Sequence, residues 1–287
     1  MPDPIIRIAL PKGRMEAGVL ALLQDAGMPV RSGAREYRPS IGMPGFEAKI
    51  LKPQNIIEML HLGSRDIGFA GADWVAEMDA DVVELLDTGL DPVRLVAAAP
   101  EDLLEDGRLP DRPLVIASEY EKLATDWIRR EGIDAKVVRS YGATEVFPPE
   151  DADCIVDNTA SGATLEANNL RVVGVIMHSS TRLYGNPDAM RDPSKRAAVE
   201  RFVLLLRSVL DARRRVMLEV NVPPDKLERV IEVLPCMREP TIAPLHGEAG
   251  YAVKAAVPRE DLSRVILDVK TRGGTDVVVT QIAQIVP

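Results

Sequence analysis

Residues 153 to 166 read D-C-I-V-D-N-T-A-S-G-A-T-L-E, an apolar strand that ends in an acid and turns through a short polar loop into a helix start. A parallel strand ending in Asp157 puts a carboxylate at the carboxyl edge of its sheet, where ligand sites of α/β proteins form. The turn Ser161-Gly162-Ala163-Thr164 adds a second chemistry. Glycine lets the backbone close on a ligand, successive N–H groups converge on an anion, and the Ser161 and Thr164 hydroxyls add donors at the positive end of a helix. A phosphate dianion fits such a turn, and Asp157 is then placed to accept hydrogen bonds from sugar hydroxyls. The same residues also suit a plain strand-to-helix connection, because Ser and Thr begin helices for capping reasons alone.

Two further stretches carry candidate chemistry. L-P-K-G-R (10 to 14) brings Lys12, Gly13 and Arg14 to the end of the first strand and the start of the first helix. Cations oppose the helix dipole there, a cost that an anionic ligand offsets; the alternative is a solvated pair on a surface loop. D-I-G-F-A-G-A-D-W (66 to 74) ends a strand on two glycines and then Asp73. Asp73 reads by default as a helix N-cap, but at a strand's carboxyl end it also suits a magnesium ion, a ribose or an amino group.

Other chemistries find no support. His61, His178 and His246 stand at no metal or triad spacing and read as structural. There is no G-x-x-x-x-G-K-[ST] loop, nucleophile elbow or zinc motif. The net charge of −9, from 35 basic and 44 acidic residues, argues against wholesale binding to nucleic acid or an anionic membrane, so an anionic substrate needs local positive charge. Two cysteines at no disulfide or metal spacing point to a reducing cytoplasm, and no apolar run is long enough for a signal or membrane segment.

The elements that must position these residues are strands alternating with helices. Strands are expected at 5–10, 47–51, 66–70, 94–99, 113–118, 135–139, 153–157 and, as one long segment, 170–184, with helices between most of them. A helix follows from about residue 194, where Val199, Phe202, Val203, Leu206, Val209 and Leu210 recur at helical spacing. From about residue 215 the order becomes βαββαβ, the ferredoxin-like unit, which on its own proves no function.

Together L-P-K-G-R, D-I-G-F-A-G-A-D and above all D-N-T-A-S-G-A-T-L-E-A-N-N-L resemble the ATP phosphoribosyltransferases, which open histidine biosynthesis. The resemblance runs over nearly the whole chain, including R-E-P-T-I-A-P-L (238 to 245), and matches the long, self-regulated form. It implies an α/β fold: a two-lobed core like the type II periplasmic binding proteins, followed by a ferredoxin-like regulatory domain. Lobe one would comprise residues 1–93 and 178–213, lobe two 94–177, and the regulatory domain 214–287. The implied reaction joins ATP to 5-phosphoribosyl-1-pyrophosphate with Mg²⁺, the metal carried mainly on substrate phosphates, and with feedback inhibition by histidine. Asp157, Thr159, Ser161, Gly162, Ala163 and Thr164 would hold the phosphoribosyl group, and Lys12, Arg14 and Asp73 would line the cleft from the other lobe. A homo-oligomer, dimer or hexamer, is also implied. Two features depart from the family pattern: P-P-E-D-A-D replaces a glycine-containing approach to the loop strand, and Asn158 stands where an aliphatic residue is usual. The alternatives are a non-catalytic cytoplasmic sensor on the same scaffold and a nucleobase-salvage phosphoribosyltransferase; the length and terminal βαββαβ unit speak against the latter.

Overall fold

The computed structural model describes residues 4–31, 37–237 and 239–286, so Arg238 of the R-E-P-T-I-A-P-L stretch lies outside the described residues. The elements in order are β1 (Ile6–Pro11), α1 (Glu16–Asp25), β2 (Val30–Arg31), β3 (Ser40–Ile41), β4 (Phe46–Leu51), α2 (Pro53–His61), β5 (Ile67–Gly71), α3 (Ala72–Met78) and β6 (Val83–Pro100). Next come β7 (Leu114–Ser118), α4 (Glu121–Glu131), β8 (Ala135–Arg139), β9 (Cys154–Thr159), α5 (Ala163–Ala167), β10 (Leu170–Gly185), α6 (Pro187–Arg191) and α7 (Pro193–Arg213). The chain finishes with β11 (Arg215–Val222), α8 (Leu227–Ile231), β12 (Thr241–Pro244), β13 (Tyr251–Pro258), α9 (Leu262–Thr271) and β14 (Thr275–Gln281). Among the described residues no helix is long and apolar enough to cross a membrane.

The chain forms two compact units, one of residues 1–24 with 28–203 and the other of residues 25–27 with 204–287. The first is built on an eight-stranded mixed sheet in the order β4-β1-β5-β10-β6-β9-β7-β8. β4, β1 and β5 run parallel at one end, β9, β7 and β8 at the other. The long strands β6 and β10 pair antiparallel between them, with Arg94 opposite His178 and Val93 opposite Ser179. Each end therefore shows three parallel strands completed by the two long ones, a two-lobed α/β arrangement. Alternation along the strands sends side chains to both faces: Leu95, Ala97, Cys154 and Val156 pack with Trp127 and Ile128 of α4, while Val96, Ala98 and Ile155 pack with Leu165 of α5. These buried runs are what a sheet covered on both faces requires.

The first half of β6 departs from expectation: the strand begins at Val83, some ten residues before the expected start at 94. Its sequence, V-E-L-L-D-T-G-L-D-P, looks like a loop because Gly89 and Asp91 take positive φ of 65° and 47°. Pairing with β10 nevertheless continues back to Val83, with register shifts between Ser179 and Thr181, between Thr181 and Arg182 and between Leu183 and Tyr184. The base of β5 is held by Asp66, only 1% exposed, whose carboxylate accepts from Arg7 Nη2 at 3.0 Å and Lys195 Nζ at 2.8 Å. Burial raises its pKa, but those two partners prevail and hold it below the usual carboxylate range.

The second unit carries a four-stranded antiparallel sheet in the order β12-β13-β11-β14, the order of a ferredoxin-like βαββαβ unit. One face of the sheet is dry: Val216, Leu218, Val220, Val253, Ala255 and Val257 pack against Val230 of α8 and Val265 and Val269 of α9. Pro224 opens the first helical segment as a tight turn, as proline does where its missing N–H costs nothing.

Candidate active site

β9 ends by delivering Asp157, Asn158 and Thr159 to the sheet's edge, and the chain then reverses through Ala160, Ser161 and Gly162 into α5. Gly162 takes φ +91°, the left-handed conformation, and nothing lies within 4 Å of where a Cβ would stand. Glycine is required there by the backbone and not by crowding. The loop is braced by its own hydroxyls: the Gly162 N–H donates to Thr159 Oγ1 at 3.0 Å and the Ala163 N–H to Ser161 Oγ at 3.3 Å. Thr159 is buried, whereas Ser161, Ala163 and Thr164 are exposed, and buried Leu165 anchors the helix to the sheet. α5 has only five residues, shorter than the expected helix through T-L-E-A-N-N, so its dipole is correspondingly weak.

Asp157 is half-buried, and its Oδ1 accepts the Asn158 backbone N–H at 2.7 Å. Burial, reinforced by the nearby charges of Glu119 and Glu145, pushes its carboxyl up to about 6, with Thr144 donating a partly offsetting hydrogen bond.

Arg14, on the turn after β1, shares a cavity of about 250 Å³ with Asp157, Ser161, Ala163 and Thr164. Its Nη1 donates to the Asp91 carbonyl at 3.2 Å, which steers the guanidinium from β6. The cation pair of L-P-K-G-R separates here. Lys12 donates to the Tyr37 hydroxyl at 2.9 Å and sits over that ring at 4.7 Å, so only Arg14 joins the loop in this cavity. A larger groove of about 790 Å³ adjoins the loop at Ser161 and Gly162 and is edged by Arg94 and Arg171.

Asp73 is neither exposed nor an N-cap. Gly71 caps α3, and Asp73 is 3% exposed with both carboxylate oxygens engaged. Ser179 Oγ donates to Oδ1 at 2.8 Å and the Tyr120 hydroxyl donates to Oδ2 at 2.7 Å. The same hydroxyl accepts from Asn158 Nδ2 at 2.9 Å, so Asp73 reaches the loop strand through a buried hydrogen-bond chain. Tyr120 is fully buried and stacked on Trp74 with centroids 4.6 Å apart; burial, and then the Asp73 charge, push its phenol far above the ordinary range.

Tyr120, Ser179, Thr144 and Glu145 were not among the sequence candidates. Tyr120 follows the carboxyl end of β7, and the strand-end rule that selected Asp157 and Asp73 would have found it. Ser179 lies inside a long strand, where no local signal marks it. Among the described residues no group of three or more His, Cys, Asp or Glu side chains is arranged to hold a metal ion.

Residues 52–208 match the family model described as ATP phosphoribosyltransferase, and residues 212–284 match the model of the HisG C-terminal domain. An ATP phosphoribosyltransferase from Pelotomaculum thermopropionicum is 34% identical over 98% of this chain and 99% of its own length. One from Chlorobium phaeobacteroides is 35% identical over 94% of this chain and 93% of its own. Among solved structures, a chain of the ATP phosphoribosyl transferase (HisG:HisZ) complex from Thermotoga maritima superposes with TM-score 0.64 at 25% identity, covering 72% of this chain and 99% of that one. With its α/β core, its strand-loop-helix turn at Asp157–Thr164 and its terminal four-stranded unit, the chain belongs to the ATP phosphoribosyltransferase family, the transferases of histidine biosynthesis.

Proposed function

We propose that this chain condenses ATP with 5-phosphoribosyl-1-pyrophosphate to give N1-(5-phosphoribosyl)-ATP and pyrophosphate. The observation that carries this reading is the shared cavity, which Arg14 lines together with Asp157, Ser161, Ala163 and Thr164. The 5-phosphate takes the turn, where its oxygens replace the Thr159 and Ser161 hydroxyls as partners of the Gly162 and Ala163 N–H groups. Ser161 and Thr164 donate from their hydroxyls, and Asp157 accepts from the ribose hydroxyls. A carboxyl lifted to about 6 is still mostly ionised at neutral pH and gains strength as an acceptor when hydroxyls are brought to it.

In the reaction the C1–O bond to pyrophosphate breaks with its electron pair leaving on oxygen, and the adenine N1 lone pair forms the new C–N bond. Oxocarbenium-like charge develops between the two. Adenine N1 is unprotonated at neutral pH, so no general base is nominated. Orientation of the two substrates and charge stabilisation by Arg14 supply the acceleration attributable to these residues; Lys12, held on Tyr37, would contribute only if it turned from that ring. Asp73 acts through Tyr120 and Asn158. Magnesium is expected on the substrate phosphates, and no step is assigned to it.

For organisation, residues 1–93 with 178–213 would form one lobe and 94–177 the other, in a cytoplasmic enzyme. Histidine would bind within residues 214–287 and inhibit at a distance. Ile242, Val278 and Val279 are exposed on the four-stranded sheet, which supports assembly of several copies through this unit. The test is direct: purified protein given ATP, the sugar pyrophosphate, Mg²⁺ and a pyrophosphatase should form the ultraviolet-absorbing adduct. Absence of that product under all four additions refutes the proposal.

A further inference from the structure

We propose that Asn158 is a positioning residue for the transferase reaction, orienting Asp157 by tying it through Tyr120 to Asp73 and Ser179. The inference rests on the function proposed above and adds a residue of the same cavity that acts by orienting Asp157.

Asn158 makes two bonds with different consequences. Its backbone N–H donates to Asp157 Oδ1 at 2.7 Å, and its side-chain amide donates to the Tyr120 hydroxyl at 2.9 Å. The first orients the carboxylate; the second fixes the residue that supplies the first. Tyr120 can serve as the fixed point because it is held from several sides. Its ring stacks on Trp74, its hydroxyl donates to Asp73 at 2.7 Å, and its backbone N–H donates to Ser118 Oγ at 2.8 Å. Ser118 in turn donates to the Val156 carbonyl at 2.6 Å. The residues on both sides of Asp157, Val156 and Asn158, are therefore fastened to the same tyrosine.

The far end of the chain is equally firm. Asp73 receives Ser179 Oγ at 2.8 Å, and the Asp73 backbone N–H returns a bond to that oxygen at 3.1 Å. The phenolic hydroxyl has one proton and gives it to the carboxylate, so its oxygen must accept, and only a donor such as an amide can satisfy it. An aliphatic side chain at position 158 would leave that oxygen with one partner and release the loop strand from α3. Buried networks of this kind couple their members more strongly than separate pairs do, which makes the link measurable.

The experiment is a double-mutant cycle on kcat/KM for 5-phosphoribosyl-1-pyrophosphate with Asn158→Leu and Tyr120→Phe. Each single variant should lose about 10-fold and the double variant about the same, because both remove one link. The acid limb of the Asn158→Leu profile should also move to higher pH, since a loosened N–H no longer favours ionised Asp157. Independent, multiplying losses, or an Asn158→Leu enzyme with an unmoved acid limb, would overturn the inference while leaving the function intact. If Tyr120→Phe does not fold, the pH profile of Asn158→Leu decides alone. A wild-type enzyme with no turnover would overturn both readings.

Discussion

At the residue scale, the proposed function gives Thr164 the phosphate and Asp157 the ribose hydroxyls. Thr164 is exposed at the first turn of α5 and faces the cavity shared with Arg14, so its hydroxyl is available to a phosphate. A hydrogen bond to a charged group is worth about 1.5–3 kcal/mol, so Thr164→Ala should raise KM for the sugar pyrophosphate by about 10- to 100-fold with less effect on kcat. Steady-state kinetics check this, and an unchanged KM removes Thr164 from the site. Asp157 is held in a half-buried, acid-flanked position that disfavours its charge. Its folded pKa of about 6 lies above the ordinary 3.8. The site is therefore most favourable when the group is protonated, below the unfolded value, and that contribution is lost as pH rises through about 6. Asp157→Asn should thus stabilise the free protein above pH 7 by about 2 kcal/mol, with the gain vanishing near pH 4, while turnover falls at least 100-fold. Thermal melts across pH, beside activity, test both halves.

At the element scale, the decisive feature is the passage from β9 to α5. With only five residues in the helix, the proposed phosphate binding at this turn would depend on loop backbone more than on a macrodipole. Gly162 at φ +91° is the residue that makes the loop conformation accessible. Because no atom crowds a Cβ there, Gly162→Ala isolates the conformational cost, about 1–2 kcal/mol in the left-handed region. The variant should melt a few degrees lower and bind the sugar pyrophosphate about 10-fold more weakly, measured by calorimetry. A melt shift without any change in affinity would mean that the loop is structural only. Element positions were largely legible because strand periodicity is local: β1, β4, β5, β7 and β8 fall within a residue or so of their expected bounds. The first half of β6 was not, since its Gly and Asp residues signal turns and only pairing with β10 overrides them.

At the scale of the whole molecule, the proposal to be tested is coupling between the terminal unit and the catalytic core. If free histidine binds within residues 214–287 and inhibits at a distance, linkage makes the effect reciprocal. Histidine should weaken binding of the sugar pyrophosphate by a factor of about 5 to 150, and the sugar pyrophosphate should weaken histidine binding by the same factor. Titration calorimetry of each ligand with and without the other, on the full chain, measures this. Equal affinities in both settings would exclude allosteric inhibition.

The sequence by itself determined the class of protein and the location of the strand-loop-helix turn proposed to hold the phosphate. D-N-T-A-S-G-A-T-L-E carries its meaning in consecutive residues, where glycine, hydroxyls and an acid act through local backbone geometry. It also separated the terminal βαββαβ unit, because hydrophobic alternation and turn residues are near-neighbour signals. The tertiary structure alone decided which distant side chains meet. It joined Arg14, and not Lys12, to the turn in one cavity, although both cations sit in the same five-residue stretch. It turned Asp73 inward to Tyr120 and Ser179 and assigned the amide of Asn158 to the tyrosine, partners 38 to 106 residues apart. Such pairings follow from closure of the sheet and from the need to satisfy every buried polar atom, neither of which any short stretch of sequence contains.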